Sequence, residues 1–287
     1  MKLSLNRNLV QRLGFGLVTL MMAMTVLPII AVVVFILVQG GPAISWGFLS
    51  GFPSDGMRQG GILPAIIGTL YLTLGTAVFS VPLGVAAAIY LSEYAAENAL
   101  TRMIRLAIIN LAGIPSVVYG LFGLGLFVLF LKFGTSILSA SLTLSIMTLP
   151  VIISTSEEAL QAVPQSFRTV SISLGATRWQ TIRRIILREA LPGIITGVIL
   201  GLERAAGETA PILFTGAAFY LPHLPKSIFD QFMALPYHLY ILSTQHQAIE
   251  KVRPIAYGTA LVLLLLILLL SSAAIAFRYR YRRRMKG

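Results

Sequence analysis

Apolar residues run along this chain in long unbroken blocks, with neither a strand's alternation nor the single stripe of a surface helix. Six blocks stand out: Leu13–Val38, Ile62–Leu91, Leu106–Leu131, Ser136–Ile153, Ile194–Tyr220 and Ile255–Phe277. Each is about 18 residues or longer, which at 1.5 Å per residue approaches or exceeds a hydrocarbon core of ~30 Å. In lipid only a helix or a closed barrel satisfies its own backbone. Barrel strands would alternate, so the pattern predicts an all-α integral membrane protein with six transmembrane helices. Two mixed segments interrupt the blocks, one at about 155–191 and one at about 217–253.

Composition agrees with this reading. Of 287 residues, 56% are hydrophobic and only 11% are charged, against roughly 25% charged in ordinary soluble domains. The absence of cysteine removes disulfides, thiolate catalysis and Cys-ligated metal sites.

The formal net charge of +12 could point to nucleic acid or to the positive-inside rule, and its distribution decides. With a cytoplasmic N-terminus, Lys2, Arg7, Arg12, Arg102, Arg105, Arg168, Arg178, Arg183, Arg184, Arg188 and the tail from Arg278 to Lys286 all face inside. Only Arg58, Lys132, Lys226, Lys251 and Arg253 face outside, and Arg204 lies within a span. Six spans return both termini to the cytoplasm. The tail FRYRYRRRMKG is then an anchor to anionic lipid and not a nucleic-acid arm. The basic, then apolar N-terminus has too long an apolar run for a secretory leader and no A-x-A site, so it reads as a retained first helix.

The outer segment carries His223, His238 and His246, whose spacing matches no metal-ligand pattern. They are expected to be loop residues in contact with solvent.

The inner segment is richer. Pro164 suits a helix start, and a short helix can run to Leu174. Gly175 can supply a left-handed turn. A second helix follows from about Thr177 to Ala190, on which Trp179, Ile182 and Ile186 share an apolar face and Arg184 and Arg188 another. Pro192 then opens the fifth span. This helix-turn-helix either lies on the lipid surface or docks a soluble partner as a helix in a groove.

The fifth span carries GLERAAGETAP, from Gly201 to Pro211. Charge at mid-bilayer costs ~2.5–3.5 kcal/mol per residue on insertion scales, so such groups pair or face a cavity. Arg204 and Glu208 are neighbours at i, i+4. A self-neutralising ion pair is one reading, but it leaves Glu203 over and does not need Gly207 or Pro211. The other is a polar pathway for a small oxyanion, built from Arg204, Glu208, Thr209 and Glu203. Guanidinium presents a planar fork to oxyanion oxygens, and a carboxylate can accept the P–OH of hydrogen phosphate, which sulfate lacks.

The inner segment LGATRWQTIRRIIL resembles the EAA loop of bacterial ABC importer permeases. Thr169, Val170 and Ser171 stand where E-A-A is usual, and the closing Leu-Pro comes late, at Leu191-Pro192. GGILPAIIGTL from Gly60, NLAGIPSVVYGLFGLGLF from Asn110, ISTSEEALQAVPQSFR from Ile153 and RAAGETAPILFTGAAF from Arg204 together resemble the A-type permease of high-affinity phosphate (Pst) import systems. The resemblance implies a type I ABC importer permease fold, a single transmembrane domain over residues 1–287, and no enzymatic activity. It implies that Arg204 and Glu208 lie on the translocation path. It also implies that Gly175, Ala176, Thr177, Trp179, Ile182 and Arg184 meet the ATPase. The implied partners are a second, homologous C-type permease subunit, an ATP-binding subunit dimer and an extracytoplasmic phosphate-binding protein. The chain has no G-x-x-x-x-G-K-[ST] motif, so ATP and its Mg²⁺ belong to the partner ATPase and no cofactor is expected here.

Three alternatives stay open at this point. One is the same architecture for sulfate, molybdate or phosphonate. Another is an ion-coupled secondary transporter or channel, which would leave the helix-turn-helix unexplained. The third is an intramembrane enzyme, although no histidine falls in any span.

Overall fold

The structure is a computed structural model described over residues 7–286; Lys2 falls outside that range, as do the side chains of residues 7–10, 13 and 282–286. Five helices are long and apolar enough to cross a membrane, or six if one bent pair is a single span. They are α1 (Arg7–Gly40), α2 (Leu63–Ile89, extended by a π turn through Tyr94), the pair α3 (Ala99–Ala112) and α4 (Ser116–Gly123, extended to Phe130), α5 (Ile137–Gln161), α7 (Arg178–Gly207) and α10 (Ile249–Lys286). Shorter helices are α6 (Gln165–Ser173), α8 (Ala210–Thr215) and α9 (Leu235–Thr244). Two residues each, Pro53–Ser54 and Gln59–Gly60, pair as the antiparallel β1 and β2.

Two of the expected spans are not single helices. The third is bent by 101° between α3 and α4. Pro115 has no N–H to continue the ladder and holds the preceding residue out of the helical region. The Leu111 carbonyl, for which Pro115 has no N–H, accepts the Ile114 N–H at 3.1 Å and the Tyr119 hydroxyl at 2.7 Å. The fifth does not run continuously from 194 to 220. It begins at Arg178, passes Pro192 without breaking, and stops at Gly207. The second helix of the inner segment is therefore the start of this span and not a separate element.

α5 is the central helix, packed against α2 on one side and α7 on the other. With no hydrophobic drive between helices in lipid, close approach of small residues supplies the packing. A Cβ on Gly75 of α2 would collide with Ser141 of α5, and one on Gly197 of α7 with Thr155. Buried hydroxyls return to their own helix, Thr69 to the Ala65 carbonyl at 2.7 Å and Ser145 to that of Ser141 at 2.6 Å. Thr69 also accepts the Leu235 N–H at 2.9 Å, which seats α9 against α2.

The outer histidines correct the expectation of solvent contact. His238 on α9 is only 2% exposed. His246 is buried too: its Nδ1 accepts the Ala248 N–H at 3.0 Å, so its Nε2 donates to the Gly56 carbonyl at 2.8 Å. Of the three, only His223 is exposed. Their segment folds back between α10 and the β1–β2 hairpin, which the residue pattern of a 37-residue loop does not announce.

Candidate functional site

The charged stretch lies where a helix breaks. Gly207 is the last residue of α7, and Glu208 takes an extended conformation (φ −75°, ψ 138°). Thr209 precedes α8, whose first turn contains Pro211. The C-terminal carbonyls of α7 and the N-terminal amides of α8 therefore fall at one point, short of helical partners. Such interruptions in membrane proteins are tolerated where the backbone lines a cavity or a polar path.

Arg204 sits one turn before the break, and its Nε lies 3.5 Å from Glu208 Oε1. The side chains are 39% and 18% exposed, respectively. This is one long contact and not a bidentate fork, so the guanidinium is oriented by Glu208 without being consumed by it. Thr209 is half-buried beside the pair. Glu203 does not join them. It turns toward α10, where the Ser271 hydroxyl donates to its Oε1 at 2.6 Å. There it edges an apolar cavity of about 520 Å³ between α2, α7 and α10. The structure thus divides the four candidates into a pathway-type cluster of Arg204, Glu208 and Thr209, and a separate carboxylate held by Ser271.

The inner segment forms two helices around a glycine turn. Gly175 has φ +83°, the left-handed value that favours glycine. Thr177 caps the next helix with a full capping box: its side chain accepts the Gln180 N–H, and the Gln180 side chain accepts the Thr177 N–H. Trp179 is 55% exposed and Arg184 points to solvent. Ile182 and Ile186 do not form an exposed face with Trp179. A π turn over Ile182–Ile186 shifts the helical register. Both isoleucines are buried in the chain's own core with Ala88, Leu160 and Val163. The exposed apolar edge comes instead from α6: Phe167, Val170 and Leu174, together with Ala176 and Ile185, line a cavity of about 390 Å³.

Reading by motif missed what fixes this segment in place. Arg168 of α6 reaches the end of α2 and pairs with Glu93, Nη2 to Oε1 at 2.6 Å and Nε to Oε2 at 3.3 Å. It also donates to the carbonyls of Val163 at 2.7 Å and Leu160 at 2.9 Å. Arg178 stacks 5.0 Å above the Tyr94 ring and donates to the Glu93 carbonyl. Arg105 of α3 joins Glu97 at 2.8 Å and Glu157 at 2.9 Å. The available signal was the run from Ala159 to Arg188, which contains five arginines and no carboxylate of its own.

A multi-pass helical protein with a broken charged span and a basic helix-turn-helix at one face has the form of a membrane transport component. Residues 80–287 match the model of the binding-protein-dependent transport system inner membrane component, and the chain belongs to that family. It is 32% identical over 271 residues to the probable ABC transporter permease protein YqgI of Bacillus subtilis, covering 90% of this chain and 92% of that one. It is 32% identical to the probable phosphate transport system permease protein PstA of Methanocaldococcus jannaschii, over 84% of this chain and 83% of the other. It is 34% identical to the phosphate transport system permease protein PstA of Xylella fastidiosa, over 69% and 68%. Among solved structures, an inward-facing MetNI methionine ABC transporter matches with a TM-score of 0.62 at 18% identity, over 79% of this chain and 99% of that one. A bacterial alginate ABC transporter matches with a TM-score of 0.64 at 15% identity, over 95% and 94%. These two likenesses establish the type I ABC importer permease fold.

Proposed function

We propose that this chain is the membrane-spanning permease subunit of an ATP-driven importer of inorganic phosphate. It forms half of the translocation pathway in the cell membrane, with both termini cytoplasmic. A second, C-type permease subunit completes the pathway. An ATP-binding subunit dimer docks at residues 165–191 and holds ATP with Mg²⁺. An extracytoplasmic binding protein delivers phosphate at the opposite face.

The observation that carries the substrate reading is the helix break at Gly207–Ala210 beside the Arg204–Glu208 pair. A guanidinium held by one 3.5 Å contact keeps its terminal nitrogens for an oxyanion. In this reading Glu208 accepts the P–OH of hydrogen phosphate, whereas sulfate brings only acceptors to the carboxylate. Phosphate permeases among the 32–34% identical relatives support the same substrate.

Reconstitution of the chain with its permease, ATPase and binding-protein partners tests this. The vesicles should accumulate radiolabelled phosphate only with ATP, and excess sulfate should not compete. Trp179→Ala should lower ATPase retention, since an exposed aromatic at an interface contributes ~2 kcal/mol or more. Phosphate accumulation without ATP, or equal inhibition by sulfate, would sink the reading.

A further inference from the structure

We propose that Glu93 is the strap through which movement of the inner helix-turn-helix reaches the membrane helices, acting as a positioning residue for transport. The inference rests on reading residues 165–191 as the ATPase-docking segment.

The geometry begins with charge. From Ala159 to Arg188 the chain carries arginines and no Asp or Glu, so a buried guanidinium there must find its anion elsewhere. Glu93 supplies it from the π turn that ends α2, and the pair is nearly sealed from solvent, with side-chain exposures of 14% for Arg168 and 7% for Glu93. A surface ion pair would hold little; a bidentate pair in this setting, with two further carbonyl bonds from the same guanidinium, fixes position.

The second part is where the contacts fall. Arg168 and Arg178 stand on opposite sides of the Gly175 turn, and both hold Glu93 at the end of α2. Arg168 takes the Glu93 carboxylate. Arg178 takes the Glu93 carbonyl and the face of Tyr94. Between them the tip of the segment is bare: Leu174 is 83% exposed and Ile172 56%. A partner that pushes on the tip therefore moves a unit tied at both of its roots to the end of α2. α2 in turn packs along α5 and α7, the helix that carries Arg204. A backbone link runs in parallel, because the segment continues directly into α7. Glu93 adds the second attachment, to a different helix, which converts a hinge into a rigid body.

The test uses Glu93→Gln, which keeps shape and loses charge, and the exchange Glu93→Arg with Arg168→Glu, which restores a pair in reverse. In the complete reconstituted transporter, Glu93→Gln should leave the ATPase dimer bound and hydrolysing, while phosphate moved per ATP falls on the order of tenfold. The exchange should recover part of that ratio. A second measurement needs neither ATPase nor phosphate. Spin labels at Leu174 and at Leu83, an exposed position on α2, should give a narrow distance distribution in the wild-type chain and a broad one in Glu93→Gln. An unchanged distribution, or an unchanged transport ratio, would overturn the proposal. Loss of transport in strict proportion to loss of bound ATPase would also overturn it, since it would make Glu93 merely structural. If the wild-type complex moves no phosphate, the functional reading fails while the distance measurement still decides this one.

Discussion

Ser171 and Thr181 face each other across the glycine turn, their hydroxyl oxygens 2.8 Å apart and both side chains buried. Thr181 also donates to the Thr177 carbonyl at 3.1 Å, so Ser171 is the donor in the shared bond. Ser171 lies in the Thr169-Val170-Ser171 run that replaces E-A-A. Its job is to close α6 onto the start of α7. Ser171→Ala removes this bond while Thr181 keeps its own to the Thr177 carbonyl, and should cost about 0.5–1.5 kcal/mol of local stability. Hydrogen exchange at residues 165–181 should rise in that variant with the membrane helices unaffected.

Gly175 tests the turn itself. A Cβ there would meet nothing within 4 Å, so any penalty is conformational and not steric crowding. At φ +83° a β-branched side chain is strained by roughly 1–2 kcal/mol. Gly175→Val should misplace the second half of the segment and lower phosphate uptake, at unchanged protein level and insertion. Gly175→Asn should be mild, because asparagine tolerates the left-handed region. Uptake assays normalised to membrane protein separate the two.

His238 makes stability depend on pH. It lies on α9, outside the candidate spans, and burial pushes its pKa down from 6.5 to about 4. Above pH 6.5 the folded and unfolded imidazoles are both neutral and nothing is lost. As pH falls from 6.5 toward 4, the unfolded state takes up a proton that the folded state refuses, so stability drops. Below about 4 both are protonated and the loss levels off, near 3 kcal/mol at about 1.4 kcal/mol per unit. Neither ring nitrogen has a protein partner among the described residues, so His238→Leu should remove this pH response without stranding another group. Thermal unfolding in detergent at pH 7.5 and pH 5 checks both the slope and its disappearance.

Much of this was legible from residue order. The apolar blocks at α1, α2, α5 and α10 foretell helices because lipid leaves the backbone no other solution. Gly175 announced its turn because few residues but glycine sit easily at that φ. The 101° bend was less legible, since Pro115 reads equally as a kink within one span. The burial of Ile182 was not legible because residue spacing does not show which neighbours cover a face: Ala88, Leu160 and Val163 enclose it. Only Ile186, at the end of the π turn, also departs from the 3.6-residue count. Glu93–Arg168 was hidden by a separation of 75 residues. Glu203 looked like part of the charged cluster because sequence shows neighbours and not directions; Ser271 of α10 shows which way it faces.

Arg204 decides between a structural pair and a pathway. If it only neutralises Glu208, Arg204→Lys keeps the charge and should be nearly silent. The double change Arg204→Gln with Glu208→Gln should then rescue transport, by removing both charges together. The observed geometry opposes that reading: the pair makes a single 3.5 Å contact through Nε, which leaves the terminal nitrogens of Arg204 uncommitted to Glu208. If Arg204 meets the passing anion, Gln should abolish uptake and Lys should impair it on the order of tenfold or more, through loss of the planar fork. The double change should then fail, because the anion itself has lost its partner. Radiolabelled phosphate uptake in cells lacking other phosphate importers, normalised to inserted protein, measures all three variants. Glu203→Gln is the matched control. Held by Ser271 on the far side of α7, it should retain uptake well above Arg204→Gln, which separates loss of the pathway cation from loss of any charge in this span.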